Sequence, residues 1–150
     1  MQQYRYYFLI TALIAELMAC GESFKHDPAL AGRRAEEFAR VTFVRRDFEK
    51  GYELVSDSGR RYVPLDKFKE TVSRLHPKSY PLNVKALEYE PMAGEKAVYI
   101  FLTGQDSGEN FYYRLTMEGT ANTDYKVVRF GRSREPYPPS DQKHEIKAQS

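Results

Sequence analysis

The sequence predicts an α+β domain: N-terminal helices packed on one face of an antiparallel sheet of about four strands. Three observations lead there. Apolar residues in 29–75 recur at helical spacing, and those in 82–130 alternate at strand spacing with Gly-containing turns between the runs. The chain has 150 residues, which suits one domain with short flanking segments.

Asp27-Pro28 opens the first helix, because Asp accepts a bond from free amides and Pro suits the first helical position. Along 29–53, Ala31, Ala35, Phe38, Ala39, Val41 and Val44 fall near helical period, and Phe48 and Tyr52 continue a face four residues apart. A bend is expected near Arg45-Arg46-Asp47. Ser56-Asp57-Ser58-Gly59 reads as a turn. A second helix over 65–75 carries Phe68, Val72 and Leu75 on one face. It closes at His76-Pro77, since the residue before a proline avoids helical geometry.

Four strand-like runs follow, over 82–89, 97–103, 111–117 and 125–130. Phe111, Tyr113, Leu115 and Met117 alternate with Tyr112, Arg114 and Thr116, the pattern of a sheet covered on one face. Val98, Ile100 and Leu102 make a similar row. Phe38, Phe68, Tyr113 and Phe130 are the residues expected to join helices to sheet. After Gly131 the composition turns polar, so 132–150 reads as a flexible tail that cannot offset its ordering entropy. Its Pro-rich piece is also of a kind that partner proteins bind.

Composition excludes several functions. A charged fraction of 29% and a mean hydropathy of -0.65 exclude a polytopic membrane protein. Twelve Tyr and nine Phe exclude a wholly disordered chain. A net charge of +2 argues against a dedicated nucleic-acid surface, so no nucleic-acid partner is expected. The pairs Arg33-Arg34, Arg45-Arg46 and Arg60-Arg61 are interleaved with Glu36, Glu37, Asp47, Glu49 and Asp57, as on solvated helix faces. The one cysteine excludes an intramolecular disulfide and a multi-Cys metal site. No metal or cofactor is expected.

The N-terminus carries the most specific signal. Residues 8–19 are apolar except for Thr11 and Glu16, a run shorter than the roughly 20 residues a membrane-spanning helix needs. Taken alone, the run fits a buried helix, a short signal anchor or the apolar region of a secretory signal peptide. It is followed by Leu17-Met18-Ala19-Cys20, which resembles the lipobox of bacterial lipoproteins. That resemblance implies a signal peptide over 1–19, diacylglyceryl transfer to the Cys20 thiol and cleavage before Cys20. Cys20 would then be a lipid attachment point that holds the chain to a bacterial membrane in the cell envelope. Residues 20–26 would be a tether. Two or three acyl chains suffice for firm anchoring, at roughly 0.8 kcal/mol per buried methylene.

The remainder carries a looser resemblance. Ala35-Glu36-Glu37-Phe38 and the run from Arg46-Asp47-Phe48 to Leu54-Val55-Ser56 resemble the opening of small nuclear-transport-factor-two-like lipoprotein domains. Pro64-Leu65-Asp66-Lys67-Phe68 is similar to their next helix start. Tyr125-Lys126-Val127-Val128-Arg129-Phe130 is similar to their final strand, with Tyr in place of Trp. The resemblance covers 27–131. It implies a cone, in which a strongly curved sheet and its helices enclose an apolar pocket. Tyr89, Tyr99 and Tyr113 are candidates to line that pocket, with ordinary core packing as the alternative.

Members of that superfamily include isomerases, cyclases and dehydratases that use an Asp or His inside the pocket. Here His26 falls in the tether, His144 in the tail and His76 at a helix end. Asp47 lies at a helix boundary, and Glu88, Glu90 and Glu118 lie near strand ends, so no catalytic residue is assigned. The expected function is a membrane-tethered, non-catalytic binding module whose partner is an envelope protein or a small apolar ligand. The alternative is a small pocket enzyme of the isomerase or dehydratase kind.

Overall fold

The computed structural model describes residues 23–147. Helix α1 (Pro28–Ala39) starts where the Asp27 carboxylate accepts from the Leu30 amide at 3.0 Å. It buries Ala31, Ala35, Phe38 and Ala39 against the sheet. The chain then widens into one π-helical turn, Arg40–Val44, in which the Arg45 amide donates to the Arg40 carbonyl at 2.9 Å. The extra residue has a packing reason. In a regular α-helix, side chains five apart point about 140° away from each other. The wider turn brings Phe43 onto the face of Phe38, and their rings meet edge-on at 5.6 Å.

The expected bend follows at Arg46, whose backbone is left-handed with φ 59°. Asp47 then caps α2 (Phe48–Glu53) by accepting from the Lys50 amide at 3.1 Å. Ser56–Gly59, expected as a turn, instead opens a short helix, α3 (Asp57–Tyr62), because the Ser56 hydroxyl accepts from the Gly59 amide. Asp57 at its start and Arg60 and Arg61 at its end suit the helix dipole. Helix α4 (Leu65–Leu75) has the predicted bounds and buries Phe68 and Val72.

The helices pack on one face of an antiparallel sheet, as predicted, but the sheet has five strands rather than about four. These are β1 (Asn83–Pro91), β2 (Ala97–Gln105), β3 (Asn110–Glu118), β4 (Lys126–Ser133) and β5 (His144–Glu145), in the order β4-β3-β2-β1-β5. The pairs Val98 with Met117, Ile100 with Leu115 and Leu102 with Tyr113 carry the inner face. Bulges at Ala86/Glu88 and Thr116/Met117 bend the strands. Phe38, Phe68 and Tyr113 are buried as expected, and Phe130 is half-buried at the rim.

The C-terminal segment departs from expectation. Strand β4 continues past Gly131 to Ser133, and the following residues cross the outer face of the sheet to add β5 beside β1. The outer face explains why. It carries Tyr99 and Phe101, which water solvates poorly, and the segment covers them. Tyr137 packs on Phe101 with ring centres 5.4 Å apart, and Lys143 lies 4.2 Å over the same ring. The Lys143 ammonium also donates to the Tyr137 and Pro138 carbonyls. Arg114 lies between the rings of Tyr99 and Tyr137, 5.0 and 5.6 Å from their centres. The Ile146 amide donates to the Leu87 carbonyl, and its side chain sits on Gly32 of α1.

No described helix is long and apolar enough to cross a membrane. Cys20 and the segment 1–19 lie outside the described residues.

Two stability predictions follow from this packing. Phe38→Ala removes a ring with no exposed surface and is expected to cost about 3–5 kcal/mol, whereas exposed Lys67→Ala stays within about 0.5 kcal/mol. Urea unfolding of both variants checks this, and equal midpoints would refute the helix-on-sheet packing. Gly51→Ala places a Cβ 2.2 Å from Thr42 Oγ1, so it is expected to destabilise by about 1–3 kcal/mol in the same assay.

Candidate functional site

The space between helices and sheet, where a cone would hold its ligand, is filled by aromatic rings. Phe43 stacks on Tyr113 with ring centres 4.7 Å apart, and also lies 5.0 Å from the His76 ring. His76 stacks in turn on Tyr80 at 4.5 Å. His76, expected only as a helix terminus, is 4% exposed and belongs to the core. Its Nδ1 lies 2.8 Å from the Val72 carbonyl, which can only accept, so Nδ1 carries the proton. Nε2 then accepts from the Tyr113 hydroxyl at 2.7 Å. The neutral ring satisfies both contacts.

Arg132 closes the rim above this pair. Its guanidinium lies 4.2 Å over Phe111, donates to the Leu75 carbonyl at 2.8 Å and pairs with Glu109. Hydrogen bonds from Ser79 and Arg132 hold the Glu109 carboxyl below its usual range. Burial pushes the Tyr113 hydroxyl well above the ordinary tyrosine value. Burial likewise lowers His76, since the cation cannot be hydrated there.

The three candidate tyrosines do not converge. Tyr113 is wholly buried in the filled interior. Tyr89 faces a shallow groove between the start of α1 and β5, with its ring 5.4 Å from His144. Tyr99 lies on the opposite face of the sheet, against Arg114. The strand alternation explains this: Tyr99 is out of phase with Val98, Ile100 and Leu102, whereas Tyr113 is in phase with Phe111, Leu115 and Met117.

Among the concavities outside the filled interior, two stand out. The first is an apolar groove of about 250 Å³ between α3, α4 and β4. Tyr52, Tyr62, Val63, Phe68 and Phe130 form its walls. Tyr62 is 85% exposed and Val63 is also exposed, although both are large and apolar. The Tyr52 hydroxyl donates to the Val63 carbonyl at 2.9 Å and steadies the α3–α4 connection. Sequence reasoning missed this site, because its lip is built by the helix that the Ser56–Gly59 run was not expected to form.

The second is an open, polar cleft of about 760 Å³ at the end of the sheet where β2 begins and β3 ends. Lys25, Arg61, Lys96 and Lys126 line it together with Asp57, Glu118 and Asp124. The Ser58 hydroxyl donates to Glu118 at 2.7 Å and lies 2.8 Å from the Ser56 hydroxyl. Among the described residues, no group of three His, Cys, Asp or Glu side chains is arranged to hold a metal ion. Compared with known proteins, the chain matches no family description, no curated protein and no solved structure.

His76 sets a testable pH dependence. Its pKa in the folded chain lies below the unfolded value of about 6.5, so the unfolded state binds more protons in that window. The stabilising contribution is therefore complete above about pH 6.5 and is lost as pH falls below it. Denaturant unfolding between pH 7.5 and 5 should show a steeper loss for the wild type than for His76→Gln. Parallel curves would mean that His76 is not the group responsible.

Proposed function

We propose that this chain is a membrane-tethered, non-catalytic binding module of the bacterial cell envelope, lipidated at Cys20 and built as a nuclear-transport-factor-two-like domain. Its binding surface is the apolar groove beside β4, and its ligand is a small apolar molecule or an apolar side chain of an envelope protein. The observation that carries the reading is the contrast between a filled interior and an open apolar rim. Phe38, Phe43, Phe111 and Tyr113 have no exposed surface, whereas the groove displays Tyr62 and Val63. Exposed apolar residues gathered around a concavity favour association.

Size narrows the ligand. A volume of about 250 Å³ lies just below the roughly 300–1,000 Å³ of drug-sized sites, so a single aromatic or branched side chain suits it better than a large cofactor. The alternative of a pocket enzyme has less support, since the interior acid–base pair His76 and Tyr113 is closed in and each satisfies the other. The anchor rests on the sole cysteine standing directly after Leu17-Met18-Ala19.

Two measurements test the two halves of the reading. Labelled palmitate should enter the wild-type chain and not Cys20→Ser. Equal incorporation, or none in either, would refute the lipid anchor. Anilinonaphthalene sulfonate should bind the folded protein at one site and lose at least about fivefold in affinity in Tyr62→Ser. Unchanged binding in that variant would move the site away from the groove. Because Tyr62 is exposed, the substitution leaves the core intact.

A further inference from the structure

The stretch joining Cys20 to the domain is much shorter than the tether expected over 20–26. From Phe24 onward the chain is bound to the domain. The Lys25 carbonyl accepts from the Ala121 amide at 2.7 Å, and the Lys96 ammonium lies 5.2 Å over the Phe24 ring. The Asp27 amide donates to the Tyr125 hydroxyl at 2.9 Å, and His26 Nδ1 lies 3.3 Å from that same oxygen. Only Gly21, Glu22 and Ser23 stand between Cys20 and the first docked residue. Four Cα steps span at most about 14 Å even when fully extended. A lipid on Cys20 therefore holds one particular end of the domain against the bilayer.

That end carries the polar cleft. Phe24 and Lys25 are part of its wall, beside Arg61 from α3, Lys96 from the β1–β2 turn and Lys126 from the start of β4. Among the described residues, none of these four cations is in an ion pair; Lys96 lies over Phe24, and Lys126 reaches the Glu53 carbonyl at 3.4 Å. The carboxylates of the same wall bond to other groups, while Asp57 also feels the charges of Arg61 and Lys126, and Asp124 that of Lys126. Asp57 is paired with Arg60 and Asp124 with Arg34, neither of which lines the cleft, and Glu118 accepts from Ser58. Glu95 adjoins Lys96 in the β1–β2 turn.

We propose that this end of the domain docks on the anionic headgroups of the phospholipid bilayer, with Lys25, Arg61, Lys96 and Lys126 meeting their phosphates. The proposal rests on the lipid-anchor reading and adds an orientation to it. Two facts carry it: the short reach from Cys20, and four cations beside three carboxylates on the face that this reach brings to the membrane, none of the four held in an ion pair. Where headgroup phosphates come within the roughly 8 Å over which charge acts at physiological salt, each cation strengthens binding about fivefold. The domain then stands with its strands rising from the membrane rather than turning freely on a leash.

Lysine labelling tests this directly. The full-length chain, purified from membranes with its lipid, is placed in vesicles of phosphatidylcholine with phosphatidylglycerol, in vesicles of phosphatidylcholine alone, and in detergent. A membrane-impermeant amine reagent and peptide mass spectrometry then read each lysine. In the anionic vesicles Lys25, Lys96 and Lys126 should react at least fivefold more slowly than in detergent. Lys78 and Lys85, at the far end of the strands, should be unchanged. Neutral vesicles or 0.5 M salt should remove the protection, and so should Lys96→Glu combined with Lys126→Glu, read at Lys25, in a protein that still floats with vesicles and melts normally. Equal reactivity of all five lysines on anionic vesicles, with flotation and palmitate labelling intact, overturns the docking proposal and leaves the anchor standing. Absence of palmitate and of flotation overturns both.

Discussion

One widened turn, Arg40–Val44, decides which ring fills the space between helices and sheet. It rotates Phe43 onto the face of Phe38, where Phe43 stacks on Tyr113 and reaches His76. His76 in turn ties the end of α4 to the middle of β3 through the Tyr113 hydroxyl. In a regular α-helix, position 43 would lie about 140° from position 38 rather than on the same face. The contacts of Phe43 with Phe38, Tyr113, His76 and Phe130 all depend on this local departure from α-helical geometry. The Gly51–Thr42 contact shows how tightly α2 then packs against the turn.

Local signals made much of the fold legible. The Asp27-Pro28 start, the bend at Arg46 and the bounds of α4 rest on capping and proline chemistry that neighbouring residues decide among themselves. The alternation of Phe111, Tyr113, Leu115 and Met117 likewise marked the inner face. What was not legible depends on distant partners. The π turn needs Tyr113 and His76 to reward it, and α3 needs the Ser56 cap to prevail over the turn tendency of Ser-Asp-Ser-Gly. A two-residue strand such as β5 has no periodicity to read and exists only because β1 offers an edge. The same holds for the candidate sites. The phase of Tyr99 on its strand already placed it away from Tyr113, but nothing local distinguished His76 as a core residue from His76 as a cap.

The molecule divides its labour by surface. The interior is largely apolar and closed, with His76 and Tyr113 bonded to each other inside it. The β4 side presents exposed aromatic surface, and the end of the sheet where β2 begins presents four cations beside three carboxylates. Helix α3 joins these last two, with Arg61 in the wall of the cleft and Tyr62 in the wall of the groove. A ligand in the groove would therefore lie beside the charged cleft.

The strap that crosses the outer face has a consequence for biosynthesis. β4 and β5 lie on opposite edges, so the last strand of the sheet to be synthesised must travel across every other strand before it can pair. Until residues 134–146 have left the ribosome and crossed any translocation channel, β1 has an unpaired edge and Phe101 lacks its cover of Tyr137 and Lys143. Open strand edges and bare aromatic surface are the features that recruit unwanted neighbours to a nascent chain. The strap thus acts as the closing stitch of the domain, covering an edge of β1 and the Phe101 ring that stay open until it is in place.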